Sequence, residues 1–199
     1  MIGLGNMTIV DLATSSDDIR EQAASLLVDG FHEPRGWPDL PLARQEVAHV
    51  IAQGFARGMI CQEGAEGSRA AQVLLGWIGG VPNPGYNGNV WELHPMVVRE
   101  EYRRRGIGRA LVAAFEFEAG KRGALTATLG TDDDSGMTSL SDVDLYADVP
   151  RRIAELRDLG RGHPFLFYRK VGFVVTGVMP DANGRGRPDI YMSKPIAKP

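Results

Sequence analysis

Glu92 and His94 lie two residues apart in the apolar run VWELHPMVV, residues 90–98. That spacing puts both side chains on one face of an extended strand. A carboxylate and an imidazole so placed can take a proton from an ammonium, directly or through water. An amine acceptor needs such a step near neutrality, because a lysine-like amine has a pKa of about 10. The alternative is structural, with Glu92 anchoring a loop and His94 a satisfied histidine at a strand end. Tyr168 offers a second chemistry: a phenol with a pKa of about 10 can protonate a leaving thiolate of comparable basicity. As a plain structural residue it would pack from a helix onto a sheet.

A third group follows the apolar run. Arg103, Arg104 and Arg105 precede Gly106-Ile107-Gly108, which opens an amphipathic segment. The first N–H groups of a helix lack intrahelical partners and carry partial positive charge, so they bind anions. Glycines let backbone approach a phosphate closely, and arginines add charge for the same anion. A strand leading into R-R-R-G-I-G and then a helix reads as a pyrophosphate site, or else as an ordinary turn with a basic surface. Further on, Asp132, Asp133, Asp134, Asp142, Asp144 and Asp148 concentrate negative charge in one polar stretch. Beside a cleft they would favour a polycationic ligand; otherwise they form a solvated loop or a metal-binding turn. The spacing lacks the ligand series of an EF-hand.

These residues need elements to hold them. A strand is expected near Thr8–Leu12, then a helix capped by Ser15, Ser16 or Asp17 with Ile19, Ala23, Leu26 and Leu27 inward. Residues 32–41 form a proline-broken loop carrying Trp37. A second helix is expected over 42–56, with Val47, Val50, Ile51 and Phe55 on one face. Strands follow at 59–62 and 74–81, separated by a polar turn at 63–71, and NPGYNG turns into the strand bearing Glu92. A helix runs from Ile107 to Lys121, with its charges outward and Gly123 ending it. A strand at 125–131, amphipathic segments at 149–159 and 164–171, and strands at 173–179 and 189–192 complete a mixed α/β sheet covered by helices. No linker or repeat divides the chain, so one domain over residues 1–199 is expected.

Composition narrows the classes. With 199 residues, 43% hydrophobic and 24% charged, the chain suits one soluble α/β domain. A formal net charge of −3 argues against a general nucleic-acid binder. Cys61 alone excludes an internal disulfide and suits a reducing compartment. No stretch nears the roughly 18 apolar residues of a membrane span, and MIGLGNMT lacks the features of a signal peptide. The cytoplasm is the expected location, with no membrane or nucleic-acid partner.

Arg103-x-x-Gly106-x-Gly108, placed between an apolar strand and a helix, resembles the acetyl-coenzyme A loop of the GNAT superfamily of N-acetyltransferases. That resemblance implies the GNAT acyltransferase fold, a central, mostly antiparallel sheet with a splayed strand pair, flanked by helices. It implies acetyl-CoA as co-substrate and no metal. The pantetheine arm would lie along Met96, Val97 and Val98, and the pyrophosphate on Arg103, Arg104, Gly106, Ile107, Gly108 and Arg109. Tyr168, four residues before the Gly of Gly172-Phe173, matches the tyrosine proposed there as general acid. Four stretches narrow the resemblance further. W-E-L-H-P from Trp91, L-G-T-D-D with T-S-L-S and D-L-Y from Leu129, H-P-x-x-F-Y-x-K-x-G-F from His163, and M-P-D-A-N-G with R-P-D-I-x-M-x-K are together similar to the chromosomal-type aminoglycoside 6′-N-acetyltransferases. This implies transfer of acetyl to the 6′-amine of an aminoglycoside in a ternary complex, in a homodimer, conferring resistance. Glu92, with His94 close by, would contact the reacting amino sugar. Trp37, Tyr86, Asp132, Asp134 and Asp189 would line the substrate site. A polyamine or protein amine as acceptor, or a non-catalytic acyl-CoA binding module, are the other readings.

Overall fold

The computed structural model describes residues 7–31, 36–63 and 71–196. The expected loop at 32–41 and turn at 63–71 therefore lie partly outside the described residues. Two compact units make up the chain, divided between Leu125 and Thr126.

The first unit contains β1 (Thr8–Asp11), α1 (Asp17–Gly30), α2 (Leu40–Gln53), β2 (Phe55–Glu63), β3 (Ala71–Pro82), β4 (Val90–Val98) and α3 (Ile107–Lys121). Its strands run β1-β2-β3-β4, each pair antiparallel. Both leading helices start on a side-chain cap, the first as its sequence predicts and the second on Asp39, ahead of the expected start at residue 42. Ser16 accepts from the Ile19 amide at 3.4 Å, and Asp39 accepts from the Leu42 amide at 2.9 Å. Ile19, Ala23, Leu26 and Leu27 of α1 and Val47 and Val50 of α2 are buried, with Trp77 of β3 and Val97 of β4 in the same core. Trp77 is fully buried and its Nε1 donates to the Ala23 carbonyl at 3.0 Å, which satisfies the one polar atom of a large apolar ring.

Three expectations in this unit are corrected. The second helix stops at Gln53, because Gly54 takes φ −155° and ψ −106°. Phe55 and Ala56 thus open β2, a strand of nine residues. The apolar composition of the strand bearing Glu92 predicts a largely buried strand, but only one face is buried: Trp91, Leu93, Pro95 and Val97 are buried, while Val90, Glu92, His94, Met96 and Val98 are half-buried. Glu118 does not face out with the other charges of α3. It is buried, with Arg57 at 3.0 Å and Arg122 at 2.5 Å. Two guanidinium groups offset the desolvation of that carboxylate, which would be costly alone.

The second unit contains β5 (Thr126–Asp132), α4 (Val149–Ala154), α5 (Phe165–Lys170), β6 (Val174–Met179) and β7 (Asp189–Pro195), with strand order β5-β7-β6, antiparallel throughout. The amphipathic segment expected to reach residue 159 is helical for only six residues; its extension leaves the helix, and Thr138 forms a bridge with Asp158.

Candidate active site

β4 carries Glu92 and His94 on its less buried face together with Met96. α2 packs on β2 and β3, and β3 has no side chain at Gly79 beneath it. A Cβ there would collide with the His94 carbonyl and would sit 2.5 Å from Val50 Cγ1. The close approach brings Glu46 of α2 to His94, with Oε1 3.5 Å from Nε2. Trp37 stands against the same imidazole at a centroid distance of 6.0 Å, braced edge-on by Phe31 at 5.1 Å. The carboxylate of Glu46 holds the His94 pKa above its ordinary value against the opposing effect of burial, with Glu92 adding to the shift. Glu46 in turn is held below the usual carboxylate range by His94, although burial works the other way. Sequence reasoning missed Glu46. A glutamate on a helix face has no spacing signal, since its partner is on another element.

The loop after β4 turns sharply. Glu100–Tyr102 form a 3-10 turn, Arg104 takes φ +61°, and Gly106 takes φ +84° as the residue preceding α3. Gly106 makes no side-chain cap, and a Cβ added to it would meet nothing within 4 Å. The first amides of α3 therefore lack side-chain acceptors, beside open space. Arg103 Nε donates to the Val98 carbonyl at 3.1 Å and ties the loop to the end of β4. Arg105 stacks over the Tyr102 ring at 5.2 Å. Arg104 and Arg109 are exposed, whereas Ile107 is buried, leaving its amide as the group available to a ligand. Val97 likewise packs its side chain into the core. Tyr86 lies in the turn between β3 and β4 and is 55% exposed.

In the second unit, Tyr168 of α5 is buried between Phe167 and Phe173, at centroid distances of 5.3 and 5.8 Å. Burial pushes its phenol well above the usual tyrosine value, so the hydroxyl keeps its proton throughout the physiological range. His163 fixes the start of α5. Its Nδ1 accepts from the Phe165 amide at 3.1 Å, so the proton is on Nε2, which donates to the Asp132 carbonyl at 2.9 Å. Burial pushes its pKa down, keeping it neutral. Asp132 and Asp189 are directly opposed across the β5–β7 pair. The Asp132 carboxylate also accepts from Asn183 Nδ2. The Asp189 carboxylate lies over Gly130, where a Cβ would come within 2.6 Å of Oδ2. Asp134 is exposed and accepts from Ser135 Oγ at 2.6 Å.

Asp133, between them, has no exposed surface; it accepts from the Met137 and Thr138 amides and from the Thr138 and Ser141 hydroxyls at 2.5 to 2.8 Å. It folds the loop. Among the described residues no group of three or more His, Cys, Asp or Glu could hold a metal ion, and no helix is long and apolar enough to cross a membrane.

Residues 22–141 match the acetyltransferase (GNAT) family, and the chain belongs to it. Acetyl-CoA is its acyl donor. Among solved structures, the aminoglycoside 6′-N-acetyltransferase from Enterococcus faecium is similar at 34% identity and a TM-score of 0.78, over 96% of this chain and 97% of that one. A second aminoglycoside 6′-N-acetyltransferase, complexed with coenzyme A, matches at 32% identity and a TM-score of 0.78, with the same coverage of 96% and 97%. An aminoglycoside 6′-acetyltransferase of type Ii follows at 29% identity and a TM-score of 0.64, again over 96% and 97%. No curated protein matches the chain significantly. The loop suits a diphosphate: an uncapped helix start, a glycine at positive φ facing open space, and exposed arginines on both sides.

Proposed function

We propose that the chain acetylates the 6′-amine of aminoglycoside antibiotics and thereby confers resistance to them, acting as one domain over residues 1–199 in a homodimer. The observation that carries this reading is the 34% and 32% identity, over nearly the whole of both chains, to two aminoglycoside 6′-N-acetyltransferases. Charge supports it. Asp132 and Asp189 face each other across one strand pair, and like charges so opposed repel unless a cation offsets them. An aminoglycoside brings several ammonium groups.

When bound, acetyl-CoA supplies a thioester carbonyl for a neutral amine to attack, in a direct ternary-complex transfer, and a thiolate to expel. Glu92 holds the reacting ammonium, and Glu92 or His94 takes its proton, directly or through water. The amides of Ile107, Gly108 and Arg109 hold the diphosphate, with Arg103, Arg104 and Arg109 adding charge. Met96, Val97 and Val98 offer the strand along which the pantetheine arm lies, Val97 through its backbone. Tyr168 keeps a proton for the departing sulfur. Trp37, Tyr86, Asp132, Asp134 and Asp189 contact the antibiotic.

Coenzyme A release should be followed with kanamycin, spermidine and a lysine peptide in turn. The reading expects kcat/KM to be highest on kanamycin. A clear preference for spermidine or the peptide would overturn the substrate while leaving the acetyltransfer intact.

A further inference from the structure

His94 belongs to a group assembled from three parts of the first unit. Glu46 of α2 lies 3.5 Å from its Nε2, and Glu46 is the less exposed of the pair, at 21% against 46%. Trp37, in the segment leading into α2, packs against the imidazole. Gly79 of β3 sets the spacing, since any side chain there would push Val50, one turn beyond Glu46, away from the His94 backbone. An exposed salt bridge on a helix has no such arrangement around it. Here one ring is held by a carboxylate on its Nε2 side, an indole against it, and a strand whose register fixes its backbone.

We propose that Glu46 is a positioning residue for proton removal: its carboxylate orients the His94 ring and stabilises the imidazolium formed when His94 takes the proton of the acceptor amine. A proton on Nε2, 3.5 Å from Glu46 Oε1, leaves the Nδ1 lone pair for the incoming proton, directly or through one water. The ammonium N–H bond breaks, the electron pair stays on the amine nitrogen, and the positive charge moves to a ring already facing a carboxylate. The titratable groups that act on the imidazole are Glu46 on α2 and Glu92 on its own strand, and His49 on α2 faces Glu46. Glu92 then remains a contact to the amine, and His94 is the base. The identity of the amine rests on the aminoglycoside reading, but the Glu46–His94 pair does not.

The test uses the full chain with Glu46→Gln and Glu46→Asp. The His94 imidazole is titrated by NMR without substrate, and kcat/KM on kanamycin is measured against pH. In Glu46→Gln the His94 midpoint should fall, the acidic limb of the rate profile should move down in pH by the same amount, and the plateau should drop about 10-fold. KM for acetyl-CoA should not change. Glu46→Asp should recover part of both effects, and Glu46→Gln should cost nothing further in a His94→Gln background. An unchanged midpoint in folded Glu46→Gln, or a lowered midpoint with an unchanged rate profile, would overturn the proposal. Absence of kanamycin turnover in the parent protein would sink the substrate reading alone, and the titration would still decide the pair.

Discussion

Replacing Asp133 by asparagine takes one acceptor oxygen and the charge from a side chain with 0% exposure. Oδ1 accepts from the Met137 amide, and Oδ2 from the Thr138 amide, the Thr138 hydroxyl and the Ser141 hydroxyl. With the new amide nitrogen on the Oδ1 side, the Met137 N–H loses its acceptor, at a cost of about 1–3 kcal/mol, and three charge-assisted bonds become neutral ones, weaker by up to about 1 kcal/mol each. A loss of about 1–6 kcal/mol follows, large against the roughly 5–15 kcal/mol by which domains are stable. Urea unfolding at pH 7 should show it as a lower midpoint at unchanged slope. The pH dependence has a definite sign. Burial works to raise the Asp133 carboxyl, but the four donors outweigh burial and hold it below the ordinary carboxylate value. Its stabilisation is complete above the unfolded-state pKa of about 3.9 and is lost as pH falls through the folded value, so the parent and Asp133→Asn curves should converge in acid. A loss below about 1 kcal/mol at pH 7, or a gap that persists in acid, would refute the assignment of Asp133 to loop architecture.

The neighbouring carboxylate should behave in the opposite way: Asp134→Asn should change stability by less than about 0.5 kcal/mol while raising KM for kanamycin, and an unchanged KM would remove it from the substrate site. Gly106→Ala should cost about 1 kcal/mol through the positive φ and raise KM for acetyl-CoA, as substrate-dependent initial rates would report. Tyr168→Phe should lower kcat with little change in KM, and the parent rate profile should show no limb from this phenol below about pH 10, since burial raises its pKa. Glu118→Ala should destabilise by about 1–3 kcal/mol, since Arg57 keeps Asp11 at 2.8 Å and Arg122 is exposed, read as a fall in thermal midpoint.

Much of the site was legible because its signals are local. Strand periodicity placed Glu92 and His94 on one face, and the glycine turn after β4 opens α3 at Ile107 as its sequence predicts. Ser16 caps α1, and Gly123, at φ +86°, follows the end of α3. What stayed hidden depends on contacts between elements. Glu46 reads as a solvated helix glutamate until α2, packed over Gly79 of β3, brings it beside His94. Glu118 has the spacing of an outward charge on α3, and its burial becomes tolerable through Arg57 from β2 together with Arg122. Asp133 is the middle of three identical residues, and nothing in the string D-D-D tells which one turns inward. The end of α2 was misplaced because Phe55 and Ala56 continue an apolar pattern past Gly54, and backbone geometry at that glycine overrides it.

The most direct measurement compares coenzyme A release from acetyl-CoA with kanamycin and with paromomycin as acceptor, using the purified chain. Kanamycin carries an amine at the 6′ position where paromomycin carries a hydroxyl. Turnover on kanamycin alone is the predicted result, and it would establish both the chemistry and the position of attack. Equal turnover on both would move acetylation to another amine, and none on either would contradict the account.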